Sequence, residues 1–222
     1  MELNIIIDYL IISIIASMAI NSALRNLAKK NQILIDIPDR SRKFHKRATP
    51  LTGGMSIILS VLISAELYLD LNGLKGFVPT FTQHLIWSSI ILVVLFLIDD
   101  FKSLTAFKRL SIQTLLSIYM IIMTGVHLES LGNIFGFGLL NLGIFSIPFT
   151  IFCVVGIMNA FNMIDGINGL CAGCGMLALL LIGFSSGLIY DSMLVLIIGG
   201  MIGFLLFNLR IFGKKRGVFL GD

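Results

Sequence analysis

The sequence predicts an all-α polytopic integral membrane protein with about seven transmembrane helices. Three observations lead there. Of the 222 residues, 57% are hydrophobic and only 13% are charged, whereas a soluble domain is about a quarter charged. So few charges cannot cover that much apolar surface in water. The apolar residues also fall into separate runs of about the length, roughly 20 residues, that crosses a bilayer. Finally, the basic residues between the runs are segregated to alternate connections.

The seven segments are Ile5–Leu24, Leu51–Leu69, Phe81–Ile98, Leu110–Val126, Leu139–Met158, Leu170–Tyr190 and Met193–Leu209. The first is preceded by "MELN", which carries Glu2 and no Lys or Arg. A secretory signal begins with positive charge, so this segment reads as a retained helix. The second follows Pro50 and contains Gly53 and Gly54. The third stops at the adjacent carboxylates Asp99 and Asp100. The fifth and sixth are separated by "NAFNMIDGINGL" (159–170), and the seventh runs into Arg210. No repeat, low-complexity tract or linker divides the chain, so residues 1–222 read as a single membrane-embedded domain. Cys171 and Cys174 form a lone CxxC with no His near it in sequence. With Cys153 they read as packing thiols, and no disulfide is expected.

Connections after odd-numbered segments share one side of the membrane. All of the 16 basic residues except Lys75 fall on that side. By the positive-inside rule it is cytoplasmic, and the N-terminus is expected outside. The same side receives "DIPDRSRKFHKRATPLTGG" (36–54), Asp99–Asp100, "NAFNMIDGINGL" and "GVFLGD" (217–222). The connections on the other side look like ordinary loops. His84 and His127 fall there without special chemistry, and Trp87 and Tyr190 read as interfacial anchors.

Ionisable groups at the edge of a bilayer are functional candidates unless paired or hydrated. Asp99–Asp100 calls for a positive charge, either neighbouring Lys102 or a divalent cation. Asn159, Asn162, Asp165 and Asn168 recur every third residue, which on a helix gives a slanted polar stripe. Gly166 and Gly169 allow the helix to end there. Arg42, Lys43, His45, Lys46 and Arg47, followed by glycines at a helix entry, suit phosphate groups. Carboxylate and amide oxygens without a Cys/His cluster suit Mg²⁺ or Mn²⁺. The residues therefore point to metal-assisted chemistry on a phosphorylated substrate at the cytoplasmic surface. An ion-coupled transporter stands as the alternative, although transporter sites lie near the bilayer midplane.

Four motifs then resemble one family, the polyprenyl-phosphate N-acetylhexosamine-1-phosphate transferases. "DIPDRSRKFHKRATPLTGG" is similar to its D-x-P-x-x-R-K-x-H-x-x-x-x-P-x-x-G-G, with one extra residue before Arg42. "DDFKSLTAFKRLSIQ" (99–113) is similar to D-D-x-x-x-L…K/R-L-x-x-Q. "NAFNMIDGINGL" is similar to N-x-x-N-x-x-D-G-x-x-G-L, and "GVFLGD" to the start of F-x-G-D-x-G-S. The RKxH loop and "NMIDG" resemble the WecA branch more than the MraY branch.

The resemblance implies transfer of a sugar-1-phosphate from a UDP-N-acetylhexosamine to undecaprenyl phosphate. UMP would be released, and a lipid-linked cell-envelope glycan such as lipopolysaccharide or cell-wall polysaccharide would be initiated. It implies Asp99, Asp100 and Asp165 as catalytic residues, with Asp99 nearest the attacking lipid phosphate. Lys43, His45, Asn159 and Asn168 would bind substrate, and Asp222 and Asn162 would hold Mg²⁺ or Mn²⁺. It places the protein in the bacterial inner membrane among lipid, leaves a homodimer open, and gives no reason to expect a nucleic-acid partner. Asn168 stands where the WecA branch commonly has Asp. The sequence stops at Asp222 inside the last motif, so the transferase domain reads as incomplete at its C-terminal end. A catalytically inactive truncated remnant is the corresponding alternative.

Overall fold

Ser13, Ser17 and Asn21 of the first helix are fully buried, while Ile11 and Ile15 beside them are 47% and 60% exposed. That inside-out distribution suits lipid, not water, as the surrounding solvent. The computed structural model describes residues 3–37, 48–71, 80–102, 104–213 and 216–221, with only the backbone of 3, 80 and 100–102.

Seven α-helices follow in order: α1 Leu3–Asn31, α2 Gly53–Leu71, α3 Thr80–Lys102, α4 Ala106–Thr124, α5 Ser146–Ile164, α6 Leu170–Ser185 and α7 Ser192–Asn208. The five helices α1–α5 are long and apolar enough to cross a membrane, and α6 and α7 are shorter apolar helices. The chain is a multi-pass membrane protein. A two-stranded antiparallel ribbon pairs β1 (Ile35–Asp36) with β2 (Thr49–Pro50).

Several boundaries differ from the sequence expectation. Helix α1 runs past Leu24 to Asn31. Its 29 residues span about 43 Å at 1.5 Å per residue, so its basic last turns extend beyond a hydrocarbon core about 30 Å thick. The fifth helix starts at Ser146, not Leu139, because residues 128–142 turn back on themselves. Leu131 N donates to Leu140 O across this hairpin, Leu140 N donates to Gly132 O, and Ser130 bridges Asn141. The sixth helix stops at Ser185, because Gly187 takes φ +72° and ends the run before Tyr190.

The helices group into two compact units, residues 1–77 with 164–222 and residues 78–163. In the first, α7 packs against α1 and α2. Ser13 Oγ donates to Leu196 O at 2.6 Å and Ser17 Oγ to Gly200 O at 2.7 Å. These rising pairs make α1 and α7 parallel. Ser60 lies against Gly200 and Ala65 packs with Val195, so α2 is antiparallel to both. A Cβ on Gly203 would lie 2.5 Å from Ser17 Cβ, which shows how closely the small residues let the backbones approach. Tyr9 and Tyr68 close one end edge-to-face at 4.6 Å. Ala172, Phe204, Phe207 and Val218 form a cluster towards the other.

In the second unit α3 and α4 form an antiparallel pair. His84 Nδ1 lies 2.7 Å from Tyr119 Oη at one end, and Asp99 meets Arg109 at the other. Helix α5 returns antiparallel to α4. The three cysteines are free: Cys171 is buried and Cys174 exposed.

Candidate active site

The apolar run of α3 ends at the acidic pair, but the helix does not. The helix carries Asp99 and Asp100 on to Lys102, and Thr105 then caps α4, its Oγ1 accepting from Lys108 N. This short link sets the start of α4 beside the end of α3. Asp99 Oδ2 lies 3.2 Å from Arg109 Nη1, and Oδ1 accepts from Leu104 N at 2.5 Å. Asp99 is 7% exposed, so its charge is removed from water and matched by a guanidinium and an amide. Arg109 thus supplies a positive charge beside Asp99.

One helical turn after Arg109, Gln113 is almost fully buried. Its Oε1 accepts from Asn159 Nδ2 at 2.8 Å, and the same amide also donates to Val155 O. Asn159 is thus fixed on α5 against α4. Three residues on, Asn162 has a buried Nδ2 without a hydrogen-bond partner among the described residues, an orphaned polar group that calls for an explanation. The second unit thereby gathers Asp99, Arg109, Gln113 and Asn159, with Asn162 one turn along the same helix.

The expected four-residue helical stripe is corrected at this point. Helix α5 ends at Ile164, so Asp165 and Asn168 lie in a turn, not on the helix with Asn159 and Asn162. Gly166 follows Asp165 at once and ends the helical run. Gly169 takes φ +80°, which a side chain rarely adopts. Asp165 is half-buried and Asn168 exposed.

This turn belongs to the first unit, where Asn208 secures it. Asn208 Oδ1 accepts from Gly169 N at 2.5 Å, and its Nδ2 donates to Val218 O at 2.9 Å. The segment from Val218 then runs along the start of α2. Phe219 N donates to Pro50 O, Gly53 N to Phe219 O and Gly54 N to Leu220 O. A Cβ on Gly53 would overlap the Phe204 ring and lie 2.7 Å from Phe219 O, so the glycine is there for close backbone approach. Three of the sequence motifs are therefore tied into one framework, through Gly54, Gly169 and Leu220.

Lys43, His45 and Asp222 lie outside the described residues, as does the side chain of Asp100. Among the described residues no three His, Cys, Asp or Glu side chains gather as a metal site. Sequence reasoning missed Asn208, whose only signal was a polar residue closing an apolar helix. It also used Arg109 as a topology marker and a motif position, without a role at the site.

The family model described as glycosyl transferase family 4 matches residues 81–222. The chain belongs to glycosyl transferase family 4. The match covers the Asp99–Arg109 pair and, of the Asn208-centred framework, Gly169, Asn208 and residues 218–220, but not Pro50–Gly54. Among relatives of this family 4 chain is the undecaprenyl-phosphate alpha-N-acetylglucosaminyl 1-phosphate transferase of Yersinia pestis. It is 33% identical over 204 residues, covering 88% of this chain and 53% of the relative. The protein of that name from Escherichia coli K12 is 31% identical over 202 residues, covering 89% and 53%. The phospho-N-acetylmuramoyl-pentapeptide-transferase of Prochlorococcus marinus is 29% identical over 204 residues, covering 82% and 52%. The family 4 chain spans about half the length of these curated relatives.

Proposed function

We propose that this family 4 protein transfers N-acetylhexosamine-1-phosphate from a UDP-sugar to undecaprenyl phosphate in the bacterial inner membrane. The observation that carries the reading is the buried Asp99–Arg109 pair at the joined ends of α3 and α4. It is supported by the acceptor named for the Yersinia and Escherichia relatives. A transporter would keep its acids near the midplane, whereas Asp99 lies within a turn of the end of α3.

An oxygen of the lipid phosphate attacks the β-phosphorus of the donor. A new P–O bond forms, the bond from that phosphorus to the bridging oxygen breaks, and the electron pair leaves with UMP. The lipid phosphate is already largely ionised near neutral pH, so the attack needs little help from a base. Asp99 is better suited to positioning, because both its oxygens are engaged and it holds Arg109 in place. A guanidinium has five N–H donors, and those not facing Asp99 can bind phosphate oxygens. Asn159, fixed by Gln113, and Asn168 would contact the donor, with Lys43 and His45 on its phosphates. Asp100 would assist in positioning at the lipid phosphate, and Asp165 would help organise the metal–nucleotide site.

The hard oxygen donors suit Mg²⁺, which keeps several waters and needs only one or two protein ligands beside substrate phosphates. The unpartnered Nδ2–H of Asn162 is a donor and suits a phosphate oxygen of the substrate; Asp222 and the Asn162 Oδ1 would hold the ion. When bound it would neutralise charge on the pyrophosphate.

The test uses the protein expressed from its whole reading frame and reconstituted with undecaprenyl phosphate, Mg²⁺ and labelled UDP-N-acetylglucosamine. UMP and lipid-linked sugar phosphate should appear in equal amounts. Failure with every UDP-N-acetylhexosamine, from protein that is folded in the bilayer, would overturn the proposal.

A further inference from the structure

The hairpin 128–142 joins α4 to α5 at the end of its unit opposite Asp99, and its most exposed side chains are its most apolar. Phe137 is 97% exposed, Leu139 72% and Phe135 69%. Ile134 and Ile144 continue the patch. Among the described residues of the unit, nothing covers these groups.

The hairpin is nevertheless held in shape. Leu142 N donates to Glu129 O, and Asn133 Oδ1 accepts from Gly138 N at 3.0 Å, closing the tip. Its base is fastened to the first turns of α5. Leu128 N donates to Thr150 Oγ1 at 2.9 Å, Ser146 Oγ donates to Leu128 O, and His127 Nδ1 lies 2.7 Å from Ser146 Oγ. Because Ser146 gives its proton to that carbonyl, the His–Ser contact is a structural pin rather than a nucleophile and base.

We propose that this hairpin docks on lipid, its aromatic tip seated in the interfacial layer of the leaflet at that end of the unit. Three observations choose lipid as the occupant. The hairpin is covalently continuous with two membrane-crossing helices, so lipid is present where it emerges. No Asp, Glu, Lys or Arg occurs from residue 130 to 164, so beyond Glu129 at its base the hairpin has no charge to hold it in water. Its inward hydrogen bonds satisfy the backbone N–H groups of Leu131, Gly138, Leu140 and Leu142, which lowers the penalty for leaving water. Aromatic side chains and a satisfied backbone suit a shallow seat, about 5–10 Å into the headgroup–acyl boundary.

The single native tryptophan, Trp87, makes the test direct. In a Trp87→Phe background, Phe137→Trp is introduced and the whole protein is reconstituted in phosphatidylethanolamine–phosphatidylglycerol vesicles. Phe135→Trp repeats the measurement at a second exposed position, in case the first change disturbs the tip. The expected result is blue-shifted emission that brominated phospholipid quenches, more strongly with bromine near the headgroup end of the acyl chain. Water-like emission quenched by acrylamide and indifferent to brominated lipid would overturn the proposal. So would blue-shifted emission that brominated lipid does not quench and that disappears as the protein is diluted in the bilayer, because the occupant would then be a second copy of the chain.

Discussion

Arg109 and Asp99 are ten residues apart in sequence and 3.2 Å apart in space, and the acid is the more buried of the two. Removing the cation therefore leaves a carboxylate with, among the described residues, only the Leu104 amide to balance it. Arg109→Gln should lower stability by about 1–3 kcal/mol, towards the lower figure because the Arg109 side chain is about a third exposed. Asp99→Asn keeps the Leu104 bond and should unfold closer to the parent, yet lose roughly 100-fold in UMP release. Thermal melting in detergent, paired with the release assay, separates the two effects. An Arg109→Gln protein that melts with the parent would show that the pair contributes nothing to stability.

The side chain of Asn208 makes one hydrogen bond as donor and one as acceptor, so its variants should differ in kind. Asn208→Asp keeps an acceptor for Gly169 N but turns an oxygen towards Val218 O. Asn208→Leu loses both bonds. A lost buried hydrogen bond costs about 1–3 kcal/mol when its partner stays buried. Amide exchange should rise in peptides covering 165–170 and 217–221 together in the Leu variant, and chiefly in 217–221 in the Asp variant. Protection unchanged in both segments would mean that they are held independently of Asn208.

Much of the architecture was legible because lipid imposes one simple requirement, an apolar run of sufficient length. The ends of those runs were less legible. Leu139–Leu142 is apolar but for Asn141, and the glycines at 136 and 138 hint that the chain turns back first. Gly166 and Gly169 did signal the end of α5, but regular spacing suggested that Asp165 and Asn168 stayed on it. The partner of Asp99 was hidden for a different reason. It depends on the link before Thr105, which brings Arg109 back beside α3. Asn208 was harder still, because one amide at a helix end says nothing of the two backbone groups it will join.

Gln113 and Asn159 offer a cleaner energetic test, because both are neutral and their side chains meet at 2.8 Å. Gln113→Leu and Asn159→Leu should each destabilise the second unit. The double variant should recover part of the loss, since no buried amide is then left facing an apolar neighbour. The coupling expected from a double-mutant cycle is about 0.5–1.5 kcal/mol. Strict additivity would show that Asn159 is held by Val155 O alone.

The interface of α1 with α7 sets sterics against hydrogen bonding, and sterics should dominate. Ser17→Ala removes a 2.7 Å bond to Gly200 O, yet such bonds between membrane helices average only about 0.6 kcal/mol. Gly203→Leu instead drives a side chain into a space where even a Cβ would lie 2.5 Å from Ser17 Cβ and 2.8 Å from Ile14 O. The helices must separate, and Ser13 and Asn21 then lose a closely packed neighbour. Gly156→Ala is the matched control, because its Cβ would meet nothing within 4 Å. Melting in detergent should place Gly156→Ala and Ser17→Ala near the parent and Gly203→Leu far below it. If Ser17→Ala proved the more damaging, hydrogen bonds and not close packing would be what holds these helices together.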